Sequence, residues 1–440
     1  EETKMARTQE CILYRDFENG EVLDIMTSLM NSYEAKEEGF ENRKEEFFHM
    51  AGSLVEMAGM YGFSGNLWHN YLTQLLVNHE NAFSTASEIR GAVKGSINHL
   101  AMHDFEIFKE LYDYDLAVFD KAFGTDCTDF LCNYVNTGCN SKVYNQRICD
   151  RICDTSKRLA EASTVEEFMA DMVQFYKDFG VGKLGLNKAF RIEHGKDGKP
   201  VIAPITRIAH VNLDDLVGYE IPKQKLIENT EAFVRGRKAN NCLLFGDAGT
   251  GKSSSIKGIL NRYYDEGLRI IEVYKHQFQD LNDVIAQIKN RNYKFILYMD
   301  DLSFEEFEIE YKYLKAVIEG GLEKKPDNIL IYATSNRRHL VREKSGDKLE
   351  VADDEDLHSS DTVQEKLSLV YRFGVRIYFG APNKKEFQNI VTTLAERYGV
   401  TMPTEELLMK ANAWELSHGG LTGRTAQQFI DHILGTSEEQ

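Results

Sequence analysis

The chain has 440 residues, of which 42% are hydrophobic, and this length predicts two or three folded domains with substantial cores. Its formal net charge of −18 argues against a protein whose main task is nonspecific nucleic-acid binding, because such binding depends on neutralising phosphates with Lys and Arg. The same acidity disfavours adsorption to an anionic membrane, and the absence of an apolar run of about 18 residues predicts no spanning helix.

Residues 11 to about 180 repeat apolar side chains at steps of three and four, as at Val22, Met26 and Leu29. This periodicity predicts an α-helical N-terminal domain over residues 1–180. The N-terminus is polar and lacks the apolar core of a signal peptide, and seven cysteines in this length fit reduced thiols. Both features favour a cytoplasmic location.

Two groups in this region invite a metal-site interpretation. The first is a set of closely spaced cysteines: Cys127, Cys132, Cys139, Cys149 and Cys153. Thiolates suit zinc or an iron–sulfur cluster, but no C-x-x-C pair occurs, so reduced and buried cysteines are the favoured interpretation. The second is the pair His99 and His103, four residues apart, which lacks a His-Glu-x-x-His context and is better explained as two surface histidines.

Residues 181–212 have a different character. Short apolar segments at 190–193 and 201–203 flank an Asp197-Gly198 turn, which predicts a β-hairpin. We interpret the whole of 181–212 as a hairpin-like linker between domains.

From residue 213 onward, strand and helix patterns alternate. The apolar runs lie at 243–245, 270–273, 295–299, 329–333 and 377–379. This alternation predicts an α/β domain over residues 213–382 with a five-stranded parallel sheet covered by helices. An acidic segment at 343–361 predicts a surface loop, and residues 383–440 again have helical periodicity.

A complete phosphate-binding motif, G-x-x-x-x-G-K-[ST], follows the first of these strands. It consists of Gly246, Asp247, Ala248, Gly249, Thr250, Gly251, Lys252 and Ser253, and Ser254 continues into a predicted helix. Glycines let backbone N–H groups turn toward phosphate, and the positive end of the helix faces the same anion. Lys252 can reach the β- and γ-phosphates and the Ser253 hydroxyl can bind Mg²⁺. The motif therefore predicts ATP and Mg²⁺ as cofactors.

A second element of the same chemistry is an apolar strand, 295–299, that ends in Asp300 and Asp301. P-loop enzymes place a carboxylate here to hold Mg²⁺, which predicts that role for Asp300. Asp301 is the candidate for orienting the attacking water. Many ATPases have the longer Glu at this second position, so Glu305 or Glu306 stays open as an alternative base.

These motifs in this order resemble the AAA+ superfamily. Residues 213–219 resemble the segment that packs on adenine there, which implies adenine contacts for Val217 and Gly218. Residues 329–337 resemble the sensor-1 strand, which implies that Asn336 lies near the γ-phosphate.

Two arginines complete this resemblance. Residues 367–374 resemble the segment that ends in an arginine finger, here Arg372, which acts in the site of a neighbouring subunit and so implies a homo-oligomer, a ring or partial ring. Residues 419–424 resemble the sensor-2 segment of a C-terminal helical lid, placed at 383–440, with Arg424 reaching the nucleotide.

From residue 210 to the C-terminus, the chain is similar to the bacterial family called domain of unknown function 815. The similarity is carried by the extension of the P-loop with Ser254 and Ser255, by Met299-Asp300-Asp301-Leu302-Ser303 and by Ala333-Thr334-Ser335-Asn336. It implies an AAA+ ATP-binding protein of α/β fold, with no implied substrate.

The favoured hypothesis is a Mg²⁺-dependent ATPase that couples its cycle to conformational work on an unidentified protein client. A second hypothesis is a nucleotide-gated scaffold or loader with little hydrolysis. A third is a nucleic-acid-linked ATPase acting through a basic cluster at 337–344, which the acidic composition disfavours. Residues 274–278 follow the second strand of the predicted sheet, and an ordinary connection is favoured over a client-gripping loop.

Overall fold

The structure, a computed structural model, describes residues 6–92, 94–136, 146–206, 208, 211–303, 310–319, 326–336 and 369–437. The chain forms two compact units, with the boundary between Asn187 and Lys188. Within the described ranges, no helix has both the length and the apolar character needed to cross a membrane.

The first unit is built from helices. Their bounds are α1 (Glu21–Glu34), α2 (Lys44–Tyr61), α3 (Leu67–Asn78), α4 (Ala82–Arg90), α5 (Ile97–Asp113), α6 (Ala117–Phe123), α7 (Cys127–Cys132), α8 (Gln146–Glu161), α9 (Val165–Phe179) and α10 (Gly182–Leu186). Side-chain caps begin several of them: the Asn66 side chain accepts the His69 N–H at the start of α3, and Thr164 accepts the Glu167 N–H at the start of α9.

Large aromatic side chains fill the core of this unit, and their polar atoms have partners. The Tyr14 and Tyr176 hydroxyls lie 2.9 Å apart, and Tyr176 donates to the Leu76 carbonyl at 2.7 Å. The Trp68 indole N–H donates to the Leu111 carbonyl at 3.0 Å. Because each of these polar atoms has a hydrogen-bond partner, burying the rings does not cost the free energy of an unpaired polar group.

Asp104 is the main buried acid of the first unit, and it organises the segment that precedes α1. Its carboxylate accepts the N–H groups of Ile12 at 2.9 Å, Leu13 at 2.6 Å and Tyr14 at 2.9 Å. The side chain is fully buried. A buried carboxylate with three backbone donors fixes the path of that segment, because each donor would otherwise lack a partner.

Asp104→Ala is expected to lower the free energy of unfolding of this unit by about 3 kcal/mol, because one buried and two partly buried N–H groups lose their acceptor. Urea denaturation followed by circular dichroism measures the shift of the midpoint. Asp113→Ala is the matched control, since Asp113 lies on the same helix in an exposed ion pair with Lys109. Equal midpoints for the two variants would contradict the role of Asp104.

The second unit contains a sheet covered by helices. Its strands are β1 (Ala189–His194), β2 (Pro200–Pro204), β3 (Cys242–Gly246), β4 (Leu268–Glu272), β5 (Lys294–Met299), β6 (Ile329–Ser335) and β7 (Val375–Phe379). Its helices are α11 (Glu220–Val234), α12 (Lys252–Tyr263), α13 (Leu281–Ile288), α14 (Glu310–Glu319), α15 (Lys384–Arg397), α16 (Thr404–Ser417) and α17 (Gly423–Ser437).

The strand order is β2-β1-β4-β5-β6-β3-β7. All five predicted parallel strands are present, but the expectation of a five-stranded sheet is wrong, because the described residues form a sheet of seven strands. The predicted hairpin is confirmed, with β1 and β2 antiparallel, and β1 also pairs in parallel with β4. The hairpin thereby covers the edge of β4, whose backbone groups would otherwise face solvent unpaired.

The central strands bring the predicted site residues to one edge of the sheet. Every residue of β6 is buried, as expected for a parallel strand with helices on both faces. Because β3, β5 and β6 run in the same direction, their carboxyl ends meet at one edge. Gly246, Asp300 and Asn336 lie at or just after these three ends.

The three C-terminal helices have a small core of their own. It includes Phe387, Val391, Leu407 and Phe429. A capping box at Asn383 begins α15: its side chain accepts the Glu386 N–H at 3.0 Å, and the Glu386 carboxylate accepts the Asn383 N–H at 2.8 Å. This group of helices follows directly after β7, at the same edge of the sheet as the predicted site.

Candidate functional site

The loop between β3 and α12 has a backbone that only glycine can adopt at its first position. Gly246 has φ of +136°, and a Cβ there would lie 2.1 Å from the carbonyl oxygen of Phe379. Gly251, with φ of +89°, directly precedes α12. Since the first N–H groups of a helix lack acceptors within the helix, this loop presents backbone donors suited to an anion.

Lys252, the first residue of α12, is folded onto this loop. Its Nζ donates to the carbonyl oxygens of Gly246 at 3.1 Å and Asp247 at 2.6 Å. Burial lowers the pKa of Lys252, while the nearby carboxylates of Asp247, Asp301 and Asp300 act in the opposite direction. A phosphate in the loop would give this ammonium group a charged acceptor in place of two neutral carbonyls.

Other predicted loop residues line one cavity with Lys252 and Ser253. These are Ala248, Gly249, Thr250, Gly251 and Ser254. Gly246 and Asp247 are not among the described residues that line it. The Asp247 carboxylate instead accepts the N–H of Ala381 at 2.8 Å, which connects the loop to the segment between β7 and α15.

Asp300 lies at the centre of a group of hydroxyls. Its Oδ1 accepts from Ser253 at 2.8 Å, from Tyr298 at 2.7 Å and from Thr334 at 2.5 Å. Burial raises the pKa of Asp300, but hydrogen bonds from Thr334, Tyr298 and Ser253 outweigh it and hold that pKa below its usual value. The carboxylate is therefore ionised and next to the predicted Mg²⁺-binding hydroxyl of Ser253.

Asp301 has a backbone conformation that is uncommon for a residue other than glycine, with φ of +51°. This turn lets its N–H donate to the Thr334 hydroxyl at 2.9 Å. The Asn336 side-chain amide donates to the Asp301 carboxylate at 2.8 Å. The structure thus brings the predicted base and the predicted sensor residue into direct contact. Glu305 and Glu306, the alternative bases, lie outside the described residues.

Two residues of this group, Tyr298 and Thr334, have no assigned role in the sequence analysis. Both belong to apolar strands, where a Tyr or Thr is ordinarily explained by its preference for β-structure. Their composition therefore does not indicate a role in the site. The available signal is position: Tyr298 precedes Asp300 by two residues, and Thr334 precedes Asn336 by two, so each pair shares a face of its strand.

Part of the cavity lining is apolar. Val217 lines it together with Leu216 and Tyr219, and Ile390 and Leu394 of α15 do so as well. Apolar walls of this kind suit the flat ring of a base. Gly218, the neighbour of Val217, is not among the described lining residues, although its φ of +81° shapes the turn there.

The C-terminal helices contribute a third side. Arg424, near the start of α17, lines the cavity, and its backbone N–H donates to the Gly249 carbonyl at 3.2 Å. Arg397 of α15 donates to the carbonyl oxygens of Asp214 at 2.8 Å and Asp215 at 2.6 Å. The cavity has a volume of about 650 Å³, within the range of small-molecule sites.

Arg372 is apart from this cavity. It is not among the described residues that line it, and it forms an ion pair with Glu319 at the end of α14. Each of these two side chains is about one third exposed. Of the four residues predicted to act on the phosphates, the structure therefore brings together Asp301, Asn336 and Arg424 but not Arg372.

The remaining candidates are elsewhere. The Cys149 thiol donates to the Tyr61 carbonyl. Among the described residues, no three His, Cys, Asp or Glu side chains are grouped so that they could bind a metal. Cys139 lies outside the described residues. The segment after β4 forms a short 3₁₀ helix, Lys275–Asp280, with Tyr274 exposed. The basic cluster at 337–344 lies outside the described residues.

The residues present fit ATP and Mg²⁺. Mg²⁺ prefers oxygen ligands, and it is held by one or two protein groups together with phosphate oxygens and water. The Ser253 hydroxyl and the Asp300 carboxylate, 2.8 Å apart, provide such a donor pair beside the glycine loop.

A Cβ at Gly249 would lie 3.1 Å from the Thr422 hydroxyl oxygen, so a glycine at this position allows the loop to lie close to the residue that precedes α17.

Comparison with solved structures finds similarity over about half of the chain. A variant of RuvB from Thermotoga maritima is 18% identical over 52% of this chain and 66% of its own, with a TM-score of 0.37. The AAA domain of FIGL-1 in complex with ADP is 16% identical over 53% of this chain and 76% of its own, with a TM-score of 0.36. At such low identity and TM-score, these likenesses bear on neither activity nor partner. No curated protein is significantly similar to the chain.

The sequence of the second unit identifies its family. The family described as protein of unknown function (DUF815) matches residues 186–437, which is more than half of the chain. This match covers the hairpin, the sheet, the glycine loop and the three C-terminal helices. The resemblance to this family predicted from the motifs is confirmed: the chain belongs to the DUF815 family. Its second unit has an α/β fold with a glycine loop between β3 and α12.

Proposed function

We propose that the second unit binds ATP with Mg²⁺ and hydrolyses it to ADP and inorganic phosphate. One observation carries this proposal: Lys252, Ser253, Asp300, Asn336 and Arg424 all line a single cavity, although they come from separate parts of the chain. A glycine-rich turn that bound nothing would not require a cation, a hydroxyl and a carboxylate to meet around it.

The binding roles follow from position. Backbone N–H groups of the loop and the Lys252 ammonium hold the β- and γ-phosphates, and the Leu216, Val217 and Ile390 side chains pack on the base. Ser253 and Asp300 hold the metal. Mg²⁺, when bound, supplies positive charge that offsets charge on the phosphate oxygens. Arg424 adds a second cation from the C-terminal helices.

The hydrolytic step uses the acid that lies beside the metal-binding acid. Asp301 accepts a proton from water as its oxygen attacks the γ-phosphorus, and the bond from that phosphorus to the β-phosphate oxygen breaks. The Asn336 amide, 2.8 Å from the carboxylate, fixes the direction in which Asp301 accepts. The products are ADP and inorganic phosphate, with the proton released from Asp301 in the following exchange with solvent.

The proposal also includes a homo-oligomer. Arg372 is outside the cavity of its own chain, as expected of an arginine that enters a neighbouring subunit's site to offset charge on the transferring phosphate. We propose that the ATP cycle in such a ring or partial ring does conformational work on a protein client.

A second candidate function is a nucleotide-gated scaffold that binds ATP but turns it over slowly. The observation in its favour is Asp301 itself, because an Asp reaches less far than the Glu that many ATPases use, and Asn336 already occupies one of its oxygens. Both functions require ATP binding, so turnover separates them.

Phosphate release by the purified chain tests the main proposal. We expect multiple turnovers with ATP and Mg²⁺, and none when EDTA removes the metal. Equilibrium binding of a fluorescent ATP analogue is measured in the same buffers. Tight binding with less than one phosphate released per chain would favour the scaffold, and absence of binding would overturn both functions.

Arg372→Ala is expected to lose most turnover while ATP binding is retained, and mixing it with Lys252→Ala should restore activity. In a random mixed ring, about one quarter of sites combine an intact Lys252 with a neighbour's intact Arg372. Light scattering with and without ATP gives the mass in parallel. Arg376→Ala, an exposed arginine four residues away on β7, is the control. If the Arg372→Ala variant is a monomer and hydrolyses ATP at the wild-type rate, the proposed homo-oligomer is contradicted.

A further inference from the structure

Three hydroxyl groups converge on one oxygen of Asp300. The donors are Ser253, Tyr298 and Thr334, at 2.8, 2.7 and 2.5 Å from Oδ1. A carboxylate has about four acceptor positions shared by its two oxygens. Each oxygen therefore has about two such positions, and three donors on Oδ1 leave none free, so a metal ion or its water must meet the other oxygen, Oδ2.

The sheet determines where two of these donors lie. Tyr298 of β5 pairs in register with Tyr332 of β6, and Met299 pairs with Ala333. Continuing this parallel register places Thr334 beside Asp300. Tyr298 lies two residues before Asp300 and so shares its face of the strand. Both donors are on buried strands, which makes them fixed points rather than mobile surface groups.

The third donor, the Ser253 hydroxyl, differs from the other two in its proposed role. Under the proposed function, the Ser253 oxygen also binds the metal, so this donor belongs to the metal site and is not counted here as a residue that positions Asp300. Tyr298 and Thr334 are 6% and 2% exposed, so neither exchanges its partner easily for water. The carboxylate thus has two permanent donors from the sheet and one from the phosphate-binding loop.

We propose that Tyr298 and Thr334 are positioning residues that hold Oδ1 of Asp300, so that Oδ2 is presented to the Mg²⁺ that accompanies ATP. This inference rests on the proposed function, since it concerns the metal of that same site. It assigns no new chemistry to either hydroxyl. Groups that orient a metal-binding carboxylate ordinarily affect metal affinity, by about ten- to hundredfold, more than they affect other ligands.

Tyr298→Phe tests the first positioning residue. Titration with Mn²⁺, followed by electron paramagnetic resonance in the presence of a non-hydrolysable ATP analogue, measures metal affinity directly. We expect metal binding to weaken about tenfold. Nucleotide affinity in EDTA should be unchanged, because the phenol contacts the two proposed metal ligands, Asp300 and Ser253, and is not among the described residues that line the cavity. This difference separates positioning from general damage to the site.

Tyr332→Phe is the matched control. Tyr332 is the register partner of Tyr298 and is equally buried, but its hydroxyl lies 2.9 Å from the Asn229 amide and 2.9 Å from the Thr230 hydroxyl of α11. Its loss removes a buried hydroxyl from the same sheet without touching Asp300. We expect wild-type metal affinity from this variant. Circular dichroism confirms that each variant is folded.

Thr334→Val and Thr334→Ser provide an independent check. Thr334→Val should weaken Mn²⁺ binding at least as much as Tyr298→Phe, because the Thr334 hydroxyl also accepts the Asp301 N–H. Thr334→Ser, which keeps the hydroxyl, should restore most of the affinity. A structural role in packing alone would give the reverse order, since Val keeps the shape of Thr and Ser does not.

The outcomes separate the two proposals. If the wild-type chain binds the metal–nucleotide complex and Tyr298→Phe binds Mn²⁺ equally well, the positioning role is overturned and the proposed function stands. Equal losses with and without metal would overturn it as well. If metal has no effect on nucleotide binding by the wild-type chain, the proposed function itself fails, and the positioning role fails with it.

Discussion

Lys252→Ala is expected to abolish ATP turnover and to weaken ATP binding by about a hundredfold or more. In the structure, the Lys252 ammonium is buried and donates to two carbonyl oxygens of its own loop. These neutral acceptors are replaced by phosphate oxygens when ATP binds, so the lysine gains a much stronger interaction. Alanine removes this cation from the loop, so the β- and γ-phosphates lose the charged donor that lies between the loop and α12.

Phosphate release and fluorescent-nucleotide binding measure both effects. Lys257→Ala is the control, because Lys257 is an exposed lysine on the same helix and its loss costs the same charge. The control variant should retain wild-type turnover and affinity. Turnover by Lys252→Ala at the wild-type rate would mean that the glycine loop is not the site of hydrolysis.

Asp301→Asn is expected to reduce turnover by about a hundredfold or more while ATP binding is retained. The amide oxygen of Asn can still accept from Asn336, so the local geometry is preserved and only the proton acceptor is lost. Such a variant should accumulate the ATP-bound state. Its nucleotide content after gel filtration, determined by chromatography, would then be ATP, whereas the wild-type chain would carry ADP.

Asp301→Glu is the companion variant, because it keeps the base and lengthens its reach. Turnover at or above the wild-type rate is expected from it. If the wild-type chain turns ATP over no faster than Asp301→Asn, Asp301 is not a base, and the scaffold function is favoured. Asp283→Asn, at an exposed position on α13, controls for the loss of one negative charge.

Much of the second unit could be predicted from the sequence because its signals are local. A glycine loop has few possible structures, and five apolar runs between helical stretches specify parallel strands. The P-loop motif and Asp300 were expected to share one Mg²⁺ site because P-loop enzymes place a carboxylate at the end of a later strand. Family membership was predictable for the same reason, as the motifs occur in one order along the chain.

Other features depend on pairing, which no local pattern specifies. The hairpin has a clear turn at Asp197-Gly198, but nothing in its sequence indicates that β1 joins β4 and extends the sheet to seven strands. Likewise, Tyr298 and Thr334 have the composition of ordinary strand residues. Their shared contact with Asp300 follows only from the register of β5 with β6.

The contact between Asp301 and Asn336 also could not be predicted from the sequence. Each residue had a separate predicted role, one toward water and one toward phosphate. Their hydrogen bond at 2.8 Å depends on the left-handed backbone of Asp301, which composition does not reveal in a residue other than glycine.

Hydrogen bonds join the C-terminal helices, and the segment just before them, to the rest of the second unit. Ala381 binds the Asp247 carboxylate just before α15, Arg397 binds the carbonyl of Asp215 at the end of α15, and Arg424 binds the Gly249 carbonyl at the start of α17. Two of these bonds are made by the phosphate-binding loop, through Asp247 and Gly249. We therefore expect a displacement of that loop on phosphate binding to move the C-terminal helices with it.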